Sequence, residues 1–222
     1  MTLVLERIPA TVELAVAAAV IGIVVGFPLG IIAGRRPGSL VDRFVTASSL
    51  TLQSLPGFWV GVMLILVFSR QLGWFPSSGR GGLEHLILPA TALGIHFIGV
   101  IARLTQSGLA GVLDEPFMQT ARAKGIGEAA VVRGHGIRNM LIPVVTVVGL
   151  QVGALLGGAV IMESVFSWPG LGRLLVDGIS NRDYSIVQAA TIVIALIVAV
   201  TNILVDLLYL VLDPRIRLQG AK

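Results

Sequence analysis

Five long apolar segments constrain the fold of this chain more than any other feature of its sequence. They run roughly over residues 11–33, 45–69, 87–109, 141–162 and 187–211. A helix needs about 20 mostly apolar residues to cross the hydrocarbon core of a bilayer, so each segment predicts a transmembrane helix. The composition agrees, because only 13% of the 222 residues are charged, against about 25% in a soluble domain. We therefore predict an all-α, polytopic membrane helix bundle forming a single domain over residues 1–222.

The basic residues between these segments predict an orientation. One set of alternating loops carries ten of them: Arg35, Arg36, Arg43, Arg122, Lys124, Arg133, Arg138, Arg215, Arg217 and Lys222. The opposite set carries five: Arg7, Arg70, Arg80, Arg173 and Arg182. Since cytoplasmic loops carry an excess of Lys and Arg, we expect the amino terminus outside and the carboxyl terminus in the cytoplasm. Trp74 and Trp168 then fall in outer loops, where interfacial aromatic residues are expected.

Small residues recur every four positions in two of the segments. The first contains Gly22, Gly26, Gly30 and Gly34, and the fourth contains Gly149, Gly153 and Gly157. Residues at this spacing form one flat stripe on a helix, which allows two backbones to approach closely in lipid. We interpret both stripes as helix-packing surfaces, within this chain or with a partner chain.

Two prolines interrupt apolar segments. Pro28 and Pro56 each remove a backbone hydrogen bond and favour a kink. The stronger breaker is Leu55-Pro56-Gly57, because Gly57 adds backbone freedom. A kink there is either static and fitted to its neighbours or part of a gate.

Four ionisable residues lie in or near the apolar segments, where charge is costly and often functional. Glu13 and Glu163 are close to segment ends, so we expect them to reach the membrane interface. Arg103 and Asp206 lie deeper, toward the cytoplasmic half. They are candidate gate or packing residues, able to pair with each other or with groups on a partner subunit.

The loop over residues 112–140 contains signals for two short helices. Asp114 is a good helix N-cap, Pro116 suits a first turn, and Lys124 followed by Gly125 suits a helix end. A second helix is predicted roughly over 127–138, and Pro143 then marks the start of the fourth membrane segment.

A helix–glycine–helix element on the cytoplasmic face has a shape that fits a groove in a soluble partner. Phe117, Met118 and Ala121 would offer apolar contact, while Arg122 and Lys124 would offer charge. The alternative is an interfacial helix resting on lipid headgroups.

Several motifs, in order along nearly the whole chain, resemble those of one transporter family. They are Pro56-Gly57-Phe58-Trp59, Leu72-Gly73-Trp74-Phe75-Pro76, Ala121-Arg122-Ala123-Lys124-Gly125 with His135, Arg138-Asn139 and Leu141-Ile142-Pro143, Glu163-Ser164-Val165-Phe166-Ser167-Trp168-Pro169-Gly170-Leu171-Gly172-Arg173, and Asp213-Pro214-Arg215-Ile216-Arg217. Together they resemble permease subunits of ABC importers, in the dipeptide/oligopeptide/nickel subfamily.

This resemblance implies a transporter built from this chain, a second permease subunit, cytoplasmic ABC ATPases and an external substrate-binding protein, in the bacterial inner membrane. ATP and Mg²⁺ would be bound by the ATPase, and this chain would bind no cofactor. The substrate would be a di- or oligopeptide, with nickel or another small solute as the alternative.

The resemblance also suggests roles for particular residues. ATPase coupling would involve Phe117, Met118, Gln119, Ala121, Arg122, Ala123, Lys124, Gly125, His135 and Pro143. An external loop, about 164–185, would face the binding protein, with Glu163, Trp168, Pro169, Gly170 and Arg173 in or beside it.

The chain departs from the family pattern in three places. The general pattern is Glu-Ala-Ala-x-x-x-Gly, but in register with Gly125 this chain has Gln119-Thr120-Ala121. A literal match, Glu128-Ala129-Ala130 with Gly134, also occurs, but neither register has the general family's distance to the following proline. Finally, subfamily members usually begin with one more span and a long external segment, whereas this sequence starts where that segment would end, at Glu6-Arg7-Ile8-Pro9. We expect either a truncated start or a shortened member.

The sequence lacks the motifs that are typical of several other function classes. The sequence has no Gly-x-x-x-x-Gly-Lys-Ser/Thr phosphate loop, so we expect ATP to be bound by another chain. It has no cysteine and no His-Glu-x-x-His motif, and His85, His96 and His135 are scattered. The net charge of +4 accompanies only 6% aromatic residues, which does not favour a nucleic-acid partner. A secondary carrier or an intramembrane enzyme is a less favoured alternative.

Overall fold

The computed structural model describes residues 2–124 and 127–212 as a bundle of helices. The helices are α1 Thr2–Leu5, α2 Ile8–Gly34, α3 Leu40–Ser54, α4 Gly57–Leu64, α5 Leu83–Leu113, α6 Pro116–Ala123, α7 Glu128–Val131, α8 Ile137–Val165, α9 Leu171–Ser180 and α10 Tyr184–Leu212. Two π-helical segments, Ile65–Gln71 and Val132–Gly136, continue α4 and join α7 to α8. The described residues contain no β-strand, and the predicted all-α fold is confirmed.

Four helical stretches are long and apolar enough to cross a membrane. They are Thr2–Gly34, Leu83–Leu113, Val147–Val165 and Tyr184–Val205. A fifth is present if the bent pair Leu40–Ser54 and Gly57–Gln71 counts as one span. These stretches correspond to the five predicted segments.

The bent pair turns by 99° at the predicted breaker. Leu55 and Pro56 both have extended backbone, with ψ of 132° and 125°. A residue before proline is pushed out of the α region, and proline has no N–H to continue the hydrogen-bond ladder. Helix α3 therefore ends at Ser54 and α4 begins at Gly57. Pro28 behaves differently, because α2 continues through it as one helix.

The first glycine stripe forms the contact between α2 and α5. A Cβ added at Gly26 would lie 2.8 Å from the carbonyl oxygen of Ile98, and one added at Gly30 would lie 2.5 Å from that of Ala102. Gly94 of α5 approaches the Ala18 carbonyl of α2 in the same way. The backbones are thus too close for side chains, as the packing interpretation predicts.

Only part of the second glycine stripe packs against another described helix of this chain. Gly149 lies against Val205, and Gly153 lies against Asn202, both on α10. A Cβ added at Gly157 would meet no described atom within 4 Å.

The main apolar core lies where α2, α5 and α8 meet, and it extends into the loop after α8. Its largest buried members include Phe97, Phe166 and Trp168. A second apolar cluster, at the other end of α5, joins that helix to α6, α7 and the start of α8.

Candidate functional sites

The predicted short cytoplasmic helix is present as α6, Pro116–Ala123. Pro116 occupies the first turn as expected, but the N-cap prediction for Asp114 is wrong. Asp114 has α-helical backbone angles and its N–H donates to the Gly111 carbonyl, so it closes α5. Glu115 therefore precedes α6, and its carbonyl accepts from the N–H of Met118 at 3.0 Å.

One face of α6 is buried against the chain itself. Met118 is fully buried and Ala121 nearly so, in a cluster with Leu109, Leu113 and Val131. This corrects the expectation that Met118 and Ala121 offer apolar contact to a partner. They instead fix α6 to α5 and to the segment that leads into α8.

The remaining surface of α6 is exposed. Phe117, an apolar ring, is 43% exposed. Gln119, Ala123 and Lys124 are also exposed. The side chains of Arg122 and His135 and the whole of Gly125 lie outside the described part of the structure.

The segment after α6 returns to the membrane without a break at Pro143. The predicted helix over 127–138 is present as α7 and the π-helical segment, which continue directly into α8. Pro143 lies inside α8, before the apolar stretch Val147–Val165, so its place at the start of the fourth membrane segment stays a prediction. Its side chain is not described.

At the other end of α8, Glu163 is fully buried. Its carboxylate accepts a hydrogen bond from the Thr11 hydroxyl at 2.6 Å and from the backbone N–H of Arg173 at 3.0 Å. The Thr11 hydroxyl oxygen in turn accepts from the N–H of Leu171 at 2.8 Å. The expectation that Glu163 reaches the interface is therefore wrong: it joins α2, α8 and the start of α9.

A glycine makes this arrangement fit. Gly170 precedes α9, and a Cβ at this position would collide with the Glu163 carboxylate. The absence of a side chain lets the carboxylate approach the amino-terminal end of α9. Negative charge is favourable there, because the first backbone N–H groups of a helix have no partner within the helix.

Trp168 is also buried, with 0% of its surface exposed. Its indole Nε1–H donates to the Ala10 carbonyl at 2.8 Å. The expectation of an interfacial ring is thus wrong for Trp168, whereas Trp74 is exposed beside Phe68. Trp168 ties the turn after α8 to the start of α2.

Two arginines pack against this region. The Arg80 guanidinium lies 5.9 Å from the centre of the Trp168 ring and pairs with Glu13. Arg173 donates to the Ser167 carbonyl at 2.6 Å. Pro169 is partly exposed. We call the set Thr11, Glu163, Trp168, Gly170 and Arg173 the outer network, after the external location that the distribution of basic residues predicts.

A cleft of about 230 Å³ opens beside the bend between α3 and α4. Leu55 and Gly57 line it at the bend, and α5 and α8 provide most of the remaining wall. Its lining is largely apolar, but it includes His96 and Gln151. Sequence analysis did not assign a role to either residue, although a polar side chain in the middle of an apolar segment is a usable signal.

Arg103 and Asp206 are not shown to meet. Arg103 is exposed on α5, and the side chain of Asp206 is not described. Their pairing stays a prediction. Among the described residues, no group of three or more His, Asp or Glu is placed to hold a metal ion.

Residues 26–218 match the family described as binding-protein-dependent transport system inner membrane component. The chain belongs to this family. It is therefore an inner-membrane permease subunit of a transport system and is not itself an enzyme.

Relatives of this permease subunit match almost its whole length. The di/tripeptide transport system permease protein DppB of Pseudomonas aeruginosa (strain UCBPP-PA14) is 44% identical, over 97% of this chain and 72% of that protein. The oligopeptide transport system permease protein AppB of Bacillus subtilis (strain 168) is 39% identical, over 96% and 71%. The glutathione transport system permease protein GsiC of Escherichia coli (strain K12) is 43% identical, over 96% and 69%.

Solved structures share the fold of the permease subunit. A chain of the MetNI methionine ABC transporter, in an inward-facing conformation, superimposes with a TM-score of 0.80 at 20% identity, covering 96% of this chain and 97% of that one. A chain of an amino acid ABC transporter determined with histidines gives 0.74 at 16% identity, with 94% and 93% covered.

Proposed function

We propose that this permease subunit forms the translocation path of an ATP-driven importer for di- and oligopeptides. The observation that carries the proposal is the identity of 39–44% with permease proteins named for di/tripeptide and oligopeptide transport, over 96–97% of the chain. The 112–140 loop and the Glu163–Arg173 motif, which we place at opposite membrane faces, both lie within this matched length.

The partners that we propose are a second permease subunit, cytoplasmic ABC ATPases and an external substrate-binding protein. The sequence has no phosphate-binding loop, which supports the placement of ATP and Mg²⁺ on the ATPase. This chain then contributes helices and docking surfaces and binds no cofactor of its own.

Helix α6 is the proposed ATPase contact. Its buried face, with Met118 and Ala121, fixes it to α5 and α8. Its exposed face presents Phe117 and Lys124. A short helix held in this way transmits a push on its exposed face to the two long membrane helices, because their shared apolar cluster is closely packed.

The loop after α8 is the proposed contact for the binding protein. Since Trp168 and Glu163 are buried, their contribution is to hold the shape of this loop. Pro169 and Arg173 are more accessible than Glu163, Trp168 and Gly170, which are all buried. We also place the amino terminus outside and the carboxyl terminus in the cytoplasm, on the distribution of basic residues.

Transport itself is tested by reconstituting the chain with the second permease subunit, the ATPases and the binding protein in liposomes. We expect ATP-dependent uptake of labelled di- and tripeptides and none of nickel ions. Uptake of nickel but not of peptides would contradict the peptide assignment.

ATPase docking is tested with Phe117→Ala and the matched control Phe44→Ala. Both phenylalanines are exposed, at 43% and 73%, but Phe44 lies on α3, outside the 112–140 loop. An aromatic contact at the centre of an interface typically contributes about 2 kcal/mol or more. We expect Phe117→Ala to weaken co-purification of the ATPase and Phe44→Ala to leave it unchanged. Equal retention by both variants would place the docking contact elsewhere.

A further inference from the structure

Three unusual features of this membrane protein lie near the middle of its long helices. His96 is near the middle of α5, Leu83–Leu113, and Gln151 is near the middle of α8, Ile137–Val165. The break at Leu55 and Pro56 is near the middle of the bent pair, Leu40–Gln71. Two polar side chains and one interrupted backbone thus occur in segments that are otherwise apolar.

The fold brings all three features to one cleft. His96, Gln151, Leu55 and Gly57 line the same space of about 230 Å³. His96 is exposed and Gln151 is partly exposed. Within the described part of the chain, neither side chain is hydrogen-bonded to another protein group.

Exposure of this cleft to lipid would be energetically unfavourable. Polar residues within membrane spans almost always face the bundle interior or a water-filled cavity. Broken backbone at membrane depth is tolerated only where it is buried in protein or lines such a cavity. Here Pro56 has no N–H to offer to the carbonyl of Leu52, and its two neighbours, Leu55 and Gly57, line the cleft.

The remaining lining is apolar and comes from α5 and α8. It includes Leu93, Phe97, Leu155 and Met162. A largely apolar wall with a few polar groups is typical of a site that binds a small organic molecule. Since such pockets usually measure about 300–1,000 Å³, this cleft has room for part of a short peptide.

We propose that this cleft is a peptide-contact site within the translocation path, a proposal that rests on the importer function above. The Gln151 amide has both a donor and an acceptor, which matches the peptide group of a substrate. The His96 imidazole donates to a substrate carbonyl or carboxylate. The apolar wall accommodates a substrate side chain of varied shape, and interrupted spans mark binding sites in other transporters.

The first experiment uses the absence of cysteine from the chain. His96→Cys and Gln151→Cys each introduce a single thiol, and Val24→Cys is the control on an apolar, 64% exposed position of α2. The complete transporter, in proteoliposomes, is treated with a small cationic methanethiosulfonate reagent, with and without ATP. Mass spectrometry of this chain then reports the labelling.

We expect both cleft variants to react in at least one nucleotide state and the Val24→Cys variant to stay unlabelled. We expect a transported dipeptide, delivered with the binding protein, to slow the reaction, while a free amino acid that is not transported leaves it unchanged. Lack of reaction at both cleft positions in every nucleotide state would overturn the proposal. Reaction without protection by the peptide would do the same.

The second experiment measures uptake by His96→Leu and Gln151→Leu, which remove the polar groups while keeping apolar bulk. Loss of two substrate hydrogen bonds predicts an uptake rate for the double variant about tenfold lower at low peptide concentration. Co-purification of the variants with the second permease subunit and the ATPases shows that the transporter still assembles. Unchanged uptake in the double variant would overturn the contact role.

The two proposals fail in different ways. If the wild-type complex transports no peptide, the peptide-importer function is overturned. If it transports peptide and the cleft variants behave as the Val24→Cys control does, only the cleft assignment is overturned.

Discussion

Glu163 is an acidic residue placed where a charge is costly, and its neighbours explain how it is accommodated. The carboxylate has the Thr11 hydroxyl and the Arg173 N–H as hydrogen-bond donors, and it lies at the start of α9. A buried polar group is tolerated when its hydrogen bonds are made inside the protein. Glu13, in contrast, is partly exposed and pairs with Arg80.

Comparing these two glutamates gives a prediction at the residue scale. Glu163→Ala removes the acceptor from one buried donor, the Thr11 hydroxyl, and one partly buried donor, the Arg173 N–H. A buried group left unsatisfied typically costs about 1–3 kcal/mol. Glu13→Ala removes an exposed pair whose contribution is about 0–1 kcal/mol. We therefore expect Glu163→Ala to lower the thermal unfolding temperature of the purified permease well below that of Glu13→Ala.

Glu163→Gln should be intermediate, because its amide oxygen still accepts from one of the donors. Thermal unfolding in detergent, followed by the intrinsic fluorescence of the three tryptophans, of which Trp168 is buried, measures the stability of all three variants. Equal loss of stability in Glu163→Ala and Glu13→Ala would show that the outer network contributes nothing beyond an exposed ion pair.

Helix pairing in this protein depends on backbone proximity. Along α2, glycines face α5 at every fourth position. On α5, Gly94 packs in turn against the backbone carbonyl of Ala18. Lipid tails are as apolar as a leucine side chain, so burial alone does not drive such pairing. Close van der Waals contact between the two backbones provides the attraction instead.

At the element scale, Gly30→Ala and Gly157→Ala form a matched pair. An added Cβ at Gly30 would approach the Ala102 carbonyl to 2.5 Å, whereas at Gly157 it would meet no described atom within 4 Å. Overpacking costs about 1–3 kcal/mol, while Gly-to-Ala in an open helix position gains up to about 1 kcal/mol.

We expect Gly30→Ala to destabilise the permease and Gly157→Ala to be neutral or stabilising in the same unfolding assay. If the unfolding temperature rises in both variants, α2 and α5 separate easily. The small-residue stripe would then not be their packing surface.

The two ends of the molecule differ in what they offer to partners. One end has α6 beside the junction of α5 and α8, and the other has α9 and the outer network. Between them the long helices carry the cleft beside the α3–α4 bend. A permease that couples two soluble partners across a membrane needs this separation of surfaces.

The orientation of the whole molecule is testable with Lys124→Cys and Asn181→Cys. Both residues are exposed, and they lie beyond opposite ends of α8. The wild-type chain has no cysteine, so any labelling of this chain reports the introduced thiol. In intact cells, a membrane-impermeant maleimide should label the Asn181→Cys variant and reach the Lys124→Cys variant only after permeabilisation. The reverse pattern would invert the proposed topology.

The sequence alone determined the membrane spans, the break at Pro56 and the glycine stripes. These features follow from local rules: the length of an apolar run, the missing N–H of proline and a four-residue period of small residues. Each rule concerns neighbours along one helix, so no knowledge of distant contacts was needed. The short helix α6 was predicted in the same way, apart from its N-cap.

The tertiary structure decided which side chains face inward and which distant residues meet. Thr11 and Glu163 are 152 positions apart, and their hydrogen bond depends on how α2, α8 and α9 pack. For the same reason, sequence reasoning placed Met118 on a partner surface and Trp168 at the interface, although both are buried. The cleft depends most on packing, since His96, Gln151 and the helix break become neighbours only when three separate spans converge.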